Sequence, residues 1–210
     1  MQKSTNNPRL DSYLKEKKTL TRFLKQAGLR KIPVCGFQTG RFLEFACLLK
    51  KPVDILEIGC GNGFSTYFLV KHLGMEGRYT GIDLNVDRLR EAENFISGIF
   101  HKRNLTFING DALRIIPGLS CKYDMVFIDA AKFEYPGYIK SIEKILLPGA
   151  VVIADNIFYK NKIFSEHPGN HDARSIAGIR GYIDRIIESP RFKTDFFEVG
   201  GGISVSEYIP

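Results

Sequence analysis

LEIGCGNG, residues 56–63, is the stretch on which the reading of this chain turns. It follows Val53-Asp54-Ile55, so residues 53–58 read as one buried strand of a parallel sheet. Glycines recur at 59, 61 and 63, and Phe64-Ser65-Thr66-Tyr67-Phe68-Leu69-Val70 then opens a helix. Strand, glycine turn and helix together bring backbone N–H groups close to a ligand. Gly59 and Gly61 suit that turn because a Cβ would restrict both the backbone and the approach of the ligand.

The dinucleotide fingerprint is G-x-G-x-x-G. This chain has G-x-G-x-G instead, with Glu57 at the end of the strand before it. A carboxylate there repels a pyrophosphate and attracts an ammonium or sulfonium group. The next strand, RYTGID at 78–83, ends in Asp83, placed to bind ribose hydroxyls. These features imply a nucleoside ligand that carries positive charge and no phosphate, and S-adenosylmethionine fits.

Beyond residue 53 strands and helices alternate. Strands are predicted at 53–58, 79–83, 105–109, 123–128 and 150–154, and helices at 65–73, 86–100, 138–147 and 172–188, with a short turn near Leu113. Two late runs, 193–199 and 203–208, flank Gly200-Gly201-Gly202 and read as a hairpin. The alternation predicts an α/β fold with a doubly wound, mostly parallel sheet and an antiparallel C-terminal edge. Ahead of it, Asn7-Pro8 starts an amphipathic helix with Leu10, Leu14, Leu20 and Leu24 on one face, broken near Thr19-Thr21 and capped at Gly28. A second helix is predicted at 40–49. We divide the single globular unit into an N-terminal helical extension, 1–51, and the α/β body, 52–210.

Doubly wound sheets bind ligands outside the carboxyl ends of their strands. Those ends carry Glu57, Asp83, Asp111, Asp129 and Asp155 in turn. One such acid could be a helix cap; five in succession exceed what capping needs. Asp111, with Ala112 beside it, could reach an adenine amino group. Asp129, Asp155 and Asn156 offer only oxygen ligands, which suits Mg²⁺ or a similar hard cation. Lys132 would face that cation, where a lowered pKa would let it act as a base. Tyr135 and Tyr138 are candidates for the acceptor pocket, with the core as an equal alternative for Tyr138.

LEIGCGNGFST (56–66), GID (81–83), GDA (110–112), FIDAAKFEY (127–135) and ADN (154–156) together resemble the cation-dependent, catechol-type O-methyltransferases, caffeoyl-CoA and bacterial members included. The likeness runs from about residue 32 through the hairpin. It implies a seven-stranded Rossmann-like methyltransferase fold, metal ligation by Asp129, Asp155 and Asn156, and a catalytic Lys132. It also implies cofactor contacts at Glu57, Gly59, Gly61, Ser65, Asp83, Asp111, Ala112 and Asp129, and a homodimer. The cation would be Mg²⁺ or Mn²⁺, and the acceptor a hydroxylated aromatic with two adjacent oxygens. That family often carries GDG near its C-terminus, whereas Gly200-Gly201-Gly202 lacks the acid, which leaves the acceptor open.

Charge bears on the acceptor. Residues 1–31 hold nine Lys or Arg against two acids, so that segment carries the whole excess of +7. Some relatives methylate a hydroxyl on modified uridine in tRNA, and the basic segment keeps a tRNA 5-hydroxyuridine acceptor as the alternative. A merely solvated helix face is the plain reading of those charges. A non-catalytic scaffold that binds cofactor and RNA is a third reading, opposed by the intact Asp129, Lys132, Asp155 and Asn156. His167 and His171 are four apart, but Pro168-Gly169 between them argues for loop residues, not metal ligands. Cys35, Cys47, Cys60 and Cys121 form no CxxC pair, and no apolar run matches a membrane span or a secretory signal. The expected setting is the cytoplasm, with no membrane partner.

Overall fold

The computed structural model describes residues 7–31, 34–101, 104–166 and 169–210. Its helices are α1 (Pro8–Leu29), α2 (Phe37–Lys50), α3 (Phe64–Val70), α4 (Val86–Ser97), α5 (Ala112–Ile115), α6 (Tyr135–Ile142) and α7 (Asn170–Glu188). Its strands are β1 (Asp54–Ile58), β2 (Arg78–Asp83), β3 (Leu105–Asn109), β4 (Tyr123–Ile128), β5 (Leu146–Asp155), β6 (Phe192–Phe197) and β7 (Ile203–Tyr208).

The strands form one sheet in the order β3-β2-β1-β4-β5-β7-β6. The first five are parallel, and β7 runs antiparallel to both β5 and β6. Every residue of β1 is buried, as a strand covered on both faces must be. Val53 lies outside it and is exposed; Asp124 accepts the N–H groups of Val53 and Asp54 and so fixes where β1 begins. Chain order reverses between β1 and β4, which opens the crevice where such folds hold ligands. One layer packs Tyr138, Ile139, Ile142, Ile179, Tyr182 and Ile186 on the sheet, and the other packs Leu43, Phe64, Phe68 and Ile96.

Helix α1 is continuous through Thr19 and Thr21, contrary to the predicted break. Both hydroxyls donate back to carbonyls four residues earlier, at Lys15 (3.1 Å) and Lys17 (2.7 Å), which removes the threonines' competition with the helix. Asn7 caps the start by accepting from Arg9 and Leu10 N–H. The helix runs past Gly28 to Leu29. Its apolar contact is shifted toward the C-terminal half: Leu20 and Ala27 are buried, Phe23 stacks between Phe64 and Phe95, and Leu10 stays exposed. Burial of a side chain such as Leu20 contributes roughly 1.5–3 kcal/mol. A polar clamp adds to it. Lys71 bridges Glu16 of α1 (2.7 Å) and the buried Glu44 of α2 (2.8 Å), and Glu44 also accepts from Arg41. His171 sits in the first turn of α7, not in a loop, with its ring exposed; His167 lies outside the described residues.

Candidate active site

A cavity of about 840 Å³ opens at the carboxyl ends of β1 to β5. Gly59, Gly61, Ser65, Asp83, Asp111, Ala112, Asp129, Lys132, Asp155 and Asn156 all line it, so the strand-end residues converge on one space. Gly59 has φ +88°, and a Cβ there would lie 2.3 Å from the carbonyl oxygen of Asp129. The turn after β1 therefore rests directly on the end of β4, which joins the glycine turn to the Asp129 loop.

At one end of the cavity Asp83 accepts from Gly61 N–H (2.7 Å) and Asn85 N–H (2.8 Å). Its carboxylate is thereby fixed, with lone pairs left for a ligand. Asp111 does act as a helix cap: it accepts from Leu113 N–H at 2.9 Å and pairs with Arg114 at 3.4 Å, while also facing the cavity. The capping and lining roles coexist on the same side chain.

Glu57 lies behind the wall, not on it. It is fully buried and does not line the cavity. Thr66 Oγ1 (2.6 Å) and the Tyr79 hydroxyl both donate to Glu57 Oε2, and Ser65, on the cavity wall, lies beside Glu57. Among the described residues Glu57 Oε1 has no hydrogen-bond partner. Burial pushes its pKa up to about 7, against the hydrogen bonds that Thr66 and Tyr79 make to Oε2 and the pull of the nearby Ser65 hydroxyl. Asn62 Oδ1 is likewise buried without a partner, on the cavity wall. One orphaned acceptor on the wall, Asn62 Oδ1, with a second in the layer behind it, fits a ligand that brings donors or positive charge.

At the other end stand Asp129, Asp155 and Asn156. Asp155 is 5% exposed, and burial together with the Asp129 charge raises its pKa. Thr39 from α2 reaches Asp155 Oδ1 at 3.4 Å. Among the described residues no cluster of three or more His, Cys, Asp or Glu side chains could hold a metal ion. The donor set is instead two carboxylates and an amide, an all-oxygen set that suits a hard cation. Asn156 has φ +59° and touches the C-terminal loop, where a Cβ on Gly201 would lie 2.4 Å from Asn156 Oδ1. The absent acid of that loop thus has a local reason: the middle glycine leaves room for Asn156.

Lys132 differs from the sequence expectation of a lowered pKa. Its Nζ donates to Asp129 Oδ1 (2.8 Å), the Tyr135 hydroxyl (2.5 Å) and the Asp155 carbonyl (3.2 Å). Burial lowers its pKa, but the Asp129 charge, Tyr135 and the bonds to both outweigh burial and hold it above the ordinary value. Lys132 is an ammonium donor in this arrangement. Tyr135 is not in the wall either: its ring is buried and its hydroxyl lies against the carbonyls of Ile128 (3.1 Å) and Asp155 (3.0 Å). Tyr138 is both core and wall, with its hydroxyl donating to Glu134.

Sequence reasoning missed several wall residues. Val34, Cys35, Gly36 and Thr39 come from the α1–α2 connection and the start of α2, and Lys160, Gly200 and Gly201 come from two late loops. No spacing pattern marks them. Asn62 was within reach, being the variable residue of the glycine turn itself.

Fold and cavity together define a Rossmann-like protein with its ligand site at the switch point of the sheet. A family model of O-methyltransferases matches residues 2–209, and the chain belongs to that family. It is 29% identical over 151 residues to the catechol O-methyltransferase of Niastella koreensis, covering 70% of this chain and 68% of that one. With the catechol O-methyltransferase of Mycobacterium tuberculosis it shares 28% over 191 residues, 86% of this chain and 84% of the other. Among solved structures, an O-methyltransferase from Bacillus cereus in complex with SAH superposes with a TM-score of 0.80 at 24% identity, over 95% of this chain and 97% of that one.

Proposed function

We propose that this enzyme transfers the methyl group of S-adenosylmethionine to a hydroxyl of a catechol-like small molecule, with a divalent cation, Mg²⁺ or Mn²⁺, in attendance. The observation that carries the reading is one cavity with two chemically distinct ends. Asp83, Asn62 and the glycine turn stand at one end, and Asp129, Asp155, Asn156 and Lys132 at the other. Relatives named as catechol O-methyltransferases support the acceptor class, and the neighbour described with SAH supports the cofactor.

When bound, the cofactor supplies a methyl group on a sulfonium, and the cation supplies charge that lowers the pKa of a nearby hydroxyl. Asp83 would hold the ribose, Glu57 would bias that end toward positive charge from behind the wall, and Asp129, Asp155 and Asn156 would hold the cation. Lys132 keeps a proton at Nζ and offers it as a hydrogen bond to negative charge on the acceptor oxygen. The proton that the acceptor hydroxyl gives up goes to Lys132 only where the charge of Asp129 is neutralised and Nζ has first lost its own, and otherwise to solvent. Much of the rate then comes from positioning both reactants in one enclosed space.

Chelation separates the parts of this reading. Dialysis against EDTA should abolish methyl transfer to a catechol panel, followed by mass spectrometry, and Mg²⁺ or Mn²⁺ should restore it. Calorimetric binding of S-adenosylhomocysteine should persist in chelator, because Asp83 and the glycine turn do not need the cation. Full activity in EDTA would remove the metal from the reading, and no binding of S-adenosylhomocysteine would remove the cofactor.

A second reading has an observation of its own. Lys17, Lys18, Arg22 and Lys25 line a shallow groove on the outer face of α1 with Leu14 and Thr21, and none of the four makes an ion pair among the described residues. Such a face suits RNA phosphates, as a tRNA acceptor requires. If tRNA is the acceptor, binding should fall steeply between 50 and 200 mM salt, by roughly tenfold or more for each few phosphates engaged. Changing Lys17, Lys18 and Arg22 to Gln should then cost most of the RNA binding. Indifference of catechol methylation to salt and to these changes, with unmethylated tRNA left unmodified, would end the RNA reading.

A further inference from the structure

Three consecutive non-glycine residues, Tyr159, Lys160 and Asn161, have φ of +46°, +57° and +63°. L side chains rarely adopt that conformation, and a run of it persists only where the surroundings enforce it. The fasteners lie on both sides of Lys160. Ile157 and Phe158 N–H donate to the carbonyls of Gly202 (3.0 Å) and Gly201 (2.9 Å). The Tyr159 hydroxyl donates to Asp172 Oδ1 at 3.0 Å, and Lys162 pairs with the same carboxylate. Arg180 then donates to the carbonyls of Ile163 and Ser165, both at 2.6 Å. Asp172 and Arg180 belong to α7, so one rigid helix holds the loop from beneath.

Of the two lysines in this loop, Lys160 has its charge uncommitted among the described residues. It lines the cavity with Asp155 and Asn156, and it makes no ion pair among the described residues. Its neighbour Lys162 is taken by Asp172. A cation set at the acceptor end by an enforced backbone is matched to an anion on the acceptor. A lone ammonium pairs as a point charge without the two-pronged geometry of a guanidinium, and on a catechol ring a carboxylate is the simplest anion to meet it.

We propose that Lys160 is a specificity residue that selects acceptors bearing a carboxylate in addition to the two adjacent oxygens, that is, catechol acids over neutral catechols. The proposal rests on the catechol reading of the same cavity. The probes are 3,4-dihydroxybenzoate and its neutral analogue 3,4-dihydroxybenzamide. Each is measured by methyl transfer and by calorimetric binding to protein loaded with S-adenosylhomocysteine and Mg²⁺. Wild type should favour the acid, and Lys160→Gln should lose that preference by roughly tenfold, through KM and not kcat. The amide should be handled alike by both proteins, and Lys160→Arg should keep the preference. An unchanged preference in Lys160→Gln, or none in wild type, would overturn the proposal. If neither compound is methylated, the methyl-transfer reading fails by itself, and the binding preference still decides the role of Lys160.

Discussion

Lys132→Met should lower methyl transfer by roughly 10²–10³-fold in kcat/KM while S-adenosylhomocysteine binds as before. Methionine keeps the length and apolar stem of lysine and removes only the charged donor. That donor is unusually constrained: the side chain is 10% exposed and Nζ is shared among Asp129, Tyr135 and the Asp155 carbonyl. The loop that carries it is fixed by packing that the substitution leaves alone, since Arg174 of α7 lies over the Phe133 ring at 3.7 Å. The change leaves Asp129, 23% exposed on the cavity wall, without its ammonium partner, so some loss of thermal stability accompanies it. Single-turnover rates at saturating cofactor read the chemical step, and a melt confirms that the variant is folded. Lys132→Arg should not rescue, because a planar guanidinium cannot occupy the space of an ammonium held from three sides. Activity of Lys132→Met within threefold of wild type would remove Lys132 from the chemistry.

The protonation of Lys132 illustrates what the sequence conceals. Asp129, Lys132 and Tyr135 recur every third residue, and the stretch Lys132–Glu134 folds as a 3-10 turn, in which residues three apart lie over one another. The spacing was visible, but only the tight turn converts it into a bonded triad. Strand ends were legible for a simpler reason. Buried parallel strands such as β4 are continuous apolar runs, and the first polar residue after each run marks the crevice. Helix starts were less so: α6 begins at Tyr135 because Pro136 is tolerated in a first turn, where a proline inside a sequence reads as a boundary. The wall residues Thr39 and Lys160 reach the cavity only through tertiary packing, α2 against α3 and the late loop against α7, which no local pattern encodes.

Glu57→Gln should move stability and cofactor affinity in opposite directions. In the folded chain the Glu57 carboxyl has a pKa of about 7, raised by burial, whereas an unfolded glutamate titrates near 4.5. Between those values the folded state holds a proton that the unfolded state has released. Stability therefore falls as pH rises through that window, by roughly 3 kcal/mol in all, and is flat above it. Glutamine carries no charge at any pH and escapes this loss, although its amide must still let the side-chain oxygen accept from Thr66 and Tyr79. At pH 8 the ligand-free variant should unfold at higher temperature than wild type, and at pH 5 the two should nearly coincide. The difference between the two proteins cancels the titration of Asp155 and other shared groups. S-adenosylhomocysteine should bind the variant roughly tenfold more weakly, because the buried charge behind the wall no longer attracts the ligand's ammonium. A melting difference that does not grow from pH 5 to pH 8 would show that Glu57 is not buried as a strained carboxylate. Unchanged affinity would show that its charge stabilises nothing in the cofactor. Together the two measurements ask whether this acid is kept, at a cost to the fold, for the charge it places behind the cavity wall.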